Sequence, residues 1–356
     1  AHARPTLAPS RAGRPLEAAE RSRRAAGFEY PATVPLAPLR TRFAPSPTGD
    51  LHLGGLLCAL VSFALARASG GAFVLRMEDL DAPRTVKGSA ARIEADLARL
   101  GLAWDEPAAD GAGLHAPYTQ SARGPLYEAA LTTLGEVTYP CDCSRSELLA
   151  ASAPHAGEDR VYPGTCREKD PARVMRRPPA QRLRVPEGAV VELVDLAAGT
   201  LTQDVGREVG DFVLRRGDGV FSYQLACALD DHAMAIDLVV RGRDLLTSTP
   251  RQLLLGRLLG ARAAPRTLHV PLLVNGSGER LAKRTGGIAV RELLARGVPM
   301  EALFGVLAHA ARLATTPGPL TLDEVVSRAA ARLPALLRGE VPLPERATVP
   351  DALQGC

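Results

Sequence analysis

Aromatic residues are scarce in this 356-residue sequence, at 4% with a single Trp. Beside abundant Ala, Arg, Leu, Gly and Pro, that scarcity is a compositional bias and points to no mechanism. No apolar run reaches the length of a membrane span. The most apolar stretch, Leu56 to Ala68, is interrupted by Ser62 and reads as a buried core helix. There is no secretory h-region near the first residues. Six cysteines spread over this length do not make a disulfide framework. Internal repeats are absent, and no coiled coil or large exposed apolar stripe suggests assembly. The expectation is a cytoplasmic monomer without a membrane partner. A net charge of +4 is small for the length, so it permits a nucleic-acid partner without arguing for one.

The sequence does have the bulk to bury a large core, with 46% hydrophobic and 23% charged residues. Residues 1–40, rich in Arg, Pro and Ala, read as a disordered extension. From Arg42 onward, strands and helices alternate. Phe73–Met77 reads as a strand, Val86–Leu100 and Pro125–Leu134 as helices. That alternation predicts an α/β fold, a parallel sheet with helices on both faces. The first half of this domain is expected at 41–136. A loop-rich stretch at 137–205 reads as an insertion, with a strand at Val190–Leu196. The second half follows at 206–287, with strands at Asp211–Arg215, Val220–Leu225, Ala235–Val240 and Val270–Val274. Residues 288–356 read as a short helical region whose Pro-rich end, from Gly339 on, is expected to be loose.

Three groups of residues carry chemistry. The string Arg42-Phe43-Ala44-Pro45-Ser46-Pro47-Thr48-Gly49-Asp50-Leu51-His52-Leu53-Gly54-Gly55 reads as a strand, a Pro/Gly turn and a helix start. Such a turn aims backbone N–H groups and the positive end of a helix dipole at one spot, where Thr48 and His52 add donors. A phosphate chain suits it, although a plain strand–turn–helix connection would use the same Pro and Gly. The basic string Arg280-Leu281-Ala282-Lys283-Arg284 follows a flexible Asn-Gly-Ser-Gly loop. Cations on a mobile loop suit charge developing on a pyrophosphate leaving group; a solvated basic loop is the bland reading. Finally, Cys141, Cys143 and Cys166 cluster, and three thiolates with a fourth ligand suit a tetrahedral Zn²⁺. His155 is the conventional fourth ligand by chemistry.

The first string resembles the first signature of the glutamate branch of class I aminoacyl-tRNA synthetases, and the basic string resembles their second. Ala282 departs from the usual Ser there. Arg76-Met77-Glu78-Asp79-Leu80-Asp81 and the Arg241-Gly242-Arg243-Asp244 string also resemble that branch. The resemblance implies a Rossmann-like catalytic domain with an ATP site at Thr48, His52, Gly54, Gly55 and Lys283, where His52 and Lys283 stabilise charge on the phosphates. It implies a glutamate site at Arg42, Phe43, Ala44, Pro45, Ser46, Glu78, Tyr223 and Arg241. Buried guanidinium groups suit the two carboxylates of glutamate, and an acidic group suits its amine. Tyr223 is expected on a hairpin that follows the Arg216–Gly219 turn.

The Tyr-x-Gly-x-Cys run after Cys-x-Cys resembles the zinc site of the glutamyl-Q tRNA(Asp) synthetase family, which implies Tyr162 as the fourth ligand of one structural zinc. About 70 residues follow Arg284, too few for the helical anticodon-binding region of a full glutamyl-tRNA synthetase. Membership of the glutamyl-Q family implies tRNA-independent activation of glutamate by ATP with Mg²⁺. It also implies transfer of glutamate to the queuosine base in the anticodon of tRNA(Asp). Two alternatives stay open: a trimmed glutamyl-tRNA synthetase that charges the 3′ end of tRNA(Glu), and a non-catalytic paralogue that binds tRNA or glutamate.

Overall fold

A strand that enters a glycine-rich turn and leaves as a helix sets the architecture. In the computed structural model, which describes residues 37–144, 146–147, 161–261, 263–281 and 289–353, β1 (Thr41–Phe43) runs into the turn and α1 (Leu53–Ala68) out of it. Eleven of the sixteen residues of α1 are buried. The helix is apolar all round because it is covered on every side. It packs on β1 and on β8 (Leu238–Gly242) of the sheet, and on α8 (Met300–Ala310) and α9 (Leu322–Leu337) away from it. No helix among the described residues is long and apolar enough to cross a membrane.

The remaining elements in chain order are β2 (Phe73–Leu75), α2 (Ser89–Arg99), α3 (Gly124–Leu134), β3 (Thr138–Cys141), β4 (Ala180–Leu183), β5 (Val190–Asp195), β6 (Gly199–Asp204), α4 (Val205–Glu208), β7 (Val213–Arg215), α5 (Tyr223–Ala233), α6 (Thr249–Leu258), β9 (Arg266–Val270), β10 (Leu272–Val274), α7 (Val290–Ala295) and β11 (Arg346–Thr348). The main sheet has the order β2-β1-β8-β9-β5-β6. Its first five strands are parallel. The edge strand β6 returns antiparallel along β5, so the sheet is mixed where an all-parallel one was expected. Along β5 exposed and buried residues alternate, as in a sheet with one wet face. The span 137–205 thus serves two sheets: β3 and β4 join β7 in a small antiparallel sheet, while β5 and β6 extend the main one.

Local chemistry explains where the elements depart from the sequence-based expectations. Residues Val220–Leu225 do not form a strand. Only Phe221 bridges back to Arg215, and the Ser222 hydroxyl then caps α5 by accepting from the Leu225 N–H at 3.3 Å. Tyr223 is therefore the first residue of a helix, not part of a hairpin strand. Pro271 splits the expected Val270–Val274 strand into β9 and β10, which lie in different sheets. The Pro-rich end is not loose. Val341, Leu343, Val349 and Leu353 are buried, and β11 pairs in parallel with β10. The expected extension at 1–40 lies outside the described residues up to residue 36.

Candidate active site

The C-terminal ends of β1, β8 and β9 open onto a cleft of about 520 Å³, the position at which parallel sheets of this kind bind ligands. The structure brings Arg42, Phe43, Ala44, Pro45, Ser46, Thr48, His52, Gly54, Gly55, Glu78, Tyr223 and Arg241 together around it. Lys283, Ala282 and Arg284 lie outside the described residues. The flanks of that segment are fixed on both sides. Leu281 donates its N–H to Leu273 O, and Arg280 pairs with Asp244. Beyond it, Ala289 bridges to His52 and the Val290 N–H donates to Leu51 O.

His52 is the N-cap of α1, an unusual residue in that role. Its Nδ1 accepts from the Gly55 N–H at 3.0 Å, which leaves the ring proton on Nε2 as a donor. Gly54 and Gly55 allow this ring to lie against the backbone: a Cβ on Gly54 would come within 3.2 Å of His52 Nδ1, and one on Gly55 within 3.0 Å of Leu51. The dipole of a sixteen-residue helix thus converges with an imidazole donor at one wall of the cleft.

At the opposite wall, buried charges pair off. Asp231 accepts from Arg42 Nε at 3.1 Å and from Arg76 Nη1 at 2.7 Å. Arg42 also donates to Val240 O. Burial works against the Asp231 carboxylate, but Arg42 and Arg76 outweigh it and hold its pKa at about 2. Glu78 accepts from Arg76 Nη2 at 2.9 Å and from the Cys227 thiol at 3.0 Å. Asp230, one residue earlier, gathers Arg123, Gln120 and Tyr127. Each of these carboxylates therefore has a guanidinium partner.

Arg241 differs. It is buried, and its hydrogen bonds run to His269 Nε2 at 3.0 Å, Gln252 Oε1 at 2.7 Å, Thr249 Oγ1 at 2.6 Å and the Tyr223 hydroxyl at 3.3 Å. None of these is a carboxylate, and among the described residues no ion pair involves it. A buried, aimed guanidinium with no direct carboxylate partner at the mouth of a cleft is a receptor for an anion. Burial pushes the Tyr223 phenol well up, so it stays a neutral donor beside Arg241.

Several partners here escaped sequence reasoning. Arg76 follows the apolar strand β2, and Asp230-Asp231 follow the apolar run Leu225–Leu229 of α5. Charges in such places are the signal that could have found them. Asp195 and His269 gave no local signal, because they come from two different strands. Cys227 is fully buried, and its thiol donates to Glu78.

The small sheet carries a second centre. The sulfurs of Cys141, Cys143 and Cys166 lie within 4.8 Å of one another, with Cys143 and Cys166 at 3.5 Å. Thiolates around a tetrahedral ion with bonds of about 2.3 Å sit roughly 3.8 Å apart, so the trio could hold a metal ion. The Tyr162 hydroxyl is 3.4 Å from Cys141 and 3.8 Å from Cys143. The Cys166 N–H donates to the same oxygen, and Arg182 stacks on the ring at 3.8 Å. Burial opposes ionisation of the Cys141 thiol, but Tyr162, the Cys143 N–H and Arg182 bring it down to about 7. Ser144 and Glu147 form reciprocal backbone bonds just behind these ligands. His155 lies outside the described residues.

Comparison with known proteins identifies the family of the chain. The catalytic domain of class I tRNA synthetases for E and Q matches residues 38–327. A glutamyl-Q tRNA(Asp) synthetase of Ralstonia nicotianae is 44% identical over 298 residues, covering 80% of this chain and 89% of that protein. One from Deinococcus radiodurans is 47% identical over 293 residues, covering 80% and 92%. A crystal structure of a glutamate tRNA ligase from Elizabethkingia meningosepticum, in complex with its amino acid, superposes with a TM-score of 0.69 at 28% identity. That match covers 81% of this chain but only 64% of the ligase. The chain belongs to the class I tRNA synthetase family for Glu and Gln and, within it, to the glutamyl-Q tRNA(Asp) synthetases.

Proposed function

We propose that this enzyme activates glutamate with ATP, without tRNA, and transfers the glutamyl group to the queuosine base in the anticodon of tRNA(Asp). The observation that carries the amino-acid half is Arg241, a buried guanidinium that lines the cleft without a carboxylate partner among the described residues. A substrate with a side-chain carboxylate supplies the missing anion. Glu78 then faces the substrate ammonium, and Arg42, Phe43, Ala44, Pro45, Ser46 and Tyr223 complete the pocket. The names of the relatives support the tRNA half.

In the proposed reaction the glutamate α-carboxylate attacks the α-phosphorus of ATP in line. The bond to the bridging oxygen breaks, and pyrophosphate leaves with the electron pair. Thr48, Gly54 and Gly55 cradle the phosphates at the start of α1, while His52 Nε2–H and Lys283 stabilise the charge that develops. Mg²⁺ accompanying ATP would neutralise part of the phosphate charge. A queuosine hydroxyl then attacks the acyl carbonyl of the mixed anhydride and AMP departs. No protein nucleophile is needed, since positioning and electrostatics suffice.

The cysteine centre fits one structural zinc, with Cys141, Cys143, Cys166 and Tyr162 as ligands; the ion would staple the loop around Cys166 to β3. Glutamate-dependent ATP–pyrophosphate exchange without tRNA tests the first step. Labelled glutamate offered to tRNA(Asp) with and without queuosine, and to tRNA(Glu), tests the second. Exchange without tRNA, with label only on queuosine-containing tRNA(Asp), is the expected result. Label on the 3′ end of tRNA(Glu) would overturn the reading.

A further inference from the structure

Behind Arg241, away from the cleft, lies a buried relay that no step of the chemistry uses. Asp195 ends β5 and His269 lies on the adjacent strand β9; both are completely buried. His269 Nδ1 is 2.6 Å from Asp195 Oδ2. The other carboxylate oxygen accepts from three backbone N–H groups, those of Ala197, Ala198 and His269 itself. Asp195 is therefore locked as an acceptor, and the imidazole must present its Nδ1 proton to it. That leaves the Nε2 lone pair facing forward, where it accepts from Arg241 Nε at 3.0 Å. Thr249 Oγ1 stands 3.3 Å from the same Nε2 and accepts from Arg241 Nη2.

This order of groups solves a specific problem. A buried guanidinium needs compensating charge before substrate arrives. A carboxylate placed directly on Arg241 would occupy the donors that a substrate carboxylate requires. With one imidazole interposed, the Asp195 charge fixes the tautomer and steadies Arg241, while its Nη donors meet only neutral acceptors, which a substrate carboxylate can displace. The other tautomer, or a protonated ring, would point an N–H at the Arg241 Nε–H and push the side chain out of line.

We propose that Asp195 and His269 are positioning residues for amino-acid selection, aiming Arg241 so that the cleft prefers a side chain ending in carboxylate over one ending in amide. The proposal rests on the glutamate reading of the cleft. The test is ATP–pyrophosphate exchange by full-length Asp195→Asn, His269→Gln and Arg241→Gln enzymes, with glutamate and glutamine as competing substrates. In Asp195→Asn the amide can donate to Nδ1 and so permits the wrong tautomer. Its KM for glutamate is expected to rise at least about 10-fold and its preference for glutamate over glutamine to fall by a similar factor, with KM for ATP within about 2-fold. His269→Gln offers both an acceptor to Arg241 and a donor to Asp195. It should stay within about 3-fold of the parent enzyme, a rescue that a packing role would not give.

A KM for glutamate unchanged in Asp195→Asn but raised in Arg241→Gln overturns the relay and leaves the glutamate reading standing. An unchanged KM in Arg241→Gln removes both. Should Asp195→Asn not fold, ¹⁵N NMR of the unmodified enzyme decides: an Nδ1–H tautomer at His269 supports the relay, and an Nε2–H tautomer refutes it.

Discussion

Replacing Asp231 with Asn isolates the charge that holds the glutamate wall together. Its carboxylate sits between Arg42 and Arg76, both almost fully buried. The gap between its pKa of about 2 and the usual 3.8 corresponds to roughly 2.5 kcal/mol of preference for the charged form in the folded state. Asp231→Asn also leaves the buried Arg42 without its carboxylate partner, while Arg76 keeps Glu78, and breaking a buried pair in this way costs about 3–5 kcal/mol. The expected loss, read from urea unfolding at pH 7, is therefore about 3–5 kcal/mol. The folded pKa is depressed, so this contribution is fully present above about pH 4 and disappears as the pH falls towards about 2. The parent protein should lose stability across that window more steeply than Asp231→Asn, and the two should converge. A loss below about 1 kcal/mol at pH 7, or parallel acid profiles, would refute the account of Asp231 as the charge that neutralises Arg42 and Arg76.

Other consequences are as direct. His52→Asn keeps a good N-cap but has no imidazole donor, so kcat for exchange should fall about 10²-fold while thermal stability stays within about 1 kcal/mol; equal losses in both would mean that the ring only caps the helix. Elemental analysis should find one zinc per chain in the parent enzyme and none in Cys166→Ser, whose melting temperature should drop to that of the chelator-treated protein. Gly305 lies inside α8, where alanine normally stabilises. Here a Cβ would come within 1.8 Å of Gly318 O, so Gly305→Ala should destabilise by about 1–3 kcal/mol in chemical denaturation.

How far the sequence could be read depended on whether the relevant groups are contiguous. The His52 turn was legible because its strand, turn glycines and helix form one unbroken string. The three thiols stood close enough in the chain to suggest a shared ion. Tyr223 was given the wrong local setting because the helix-capping Ser222 competes with a preceding hairpin-like turn, and periodicity alone does not decide between them. The partners of Arg241 were invisible for a different reason. They are contributed by β9, α5 and α6, so their meeting is a property of the strand order and of no local pattern. The polar edge strand β6, Gly-Thr-Leu-Thr-Gln-Asp, lacks the apolar alternation that reveals a strand and is held by its pairing with β5.

The pairing of β10 with β11 also governs timing. Leu272 to Val274 line up with Arg346 to Thr348, and Leu272 and Leu273 form part of the cleft wall. During synthesis, every strand pairing among the described residues other than β10 with β11 can form first. This edge beside the cleft stays open until residues 346–348 have emerged. A chain halted before residue 346 would thus have its main sheet assembled and the β10 edge uncovered. Residues 346–348 thus cap an edge against misassociation and brace the strand that lines the wall.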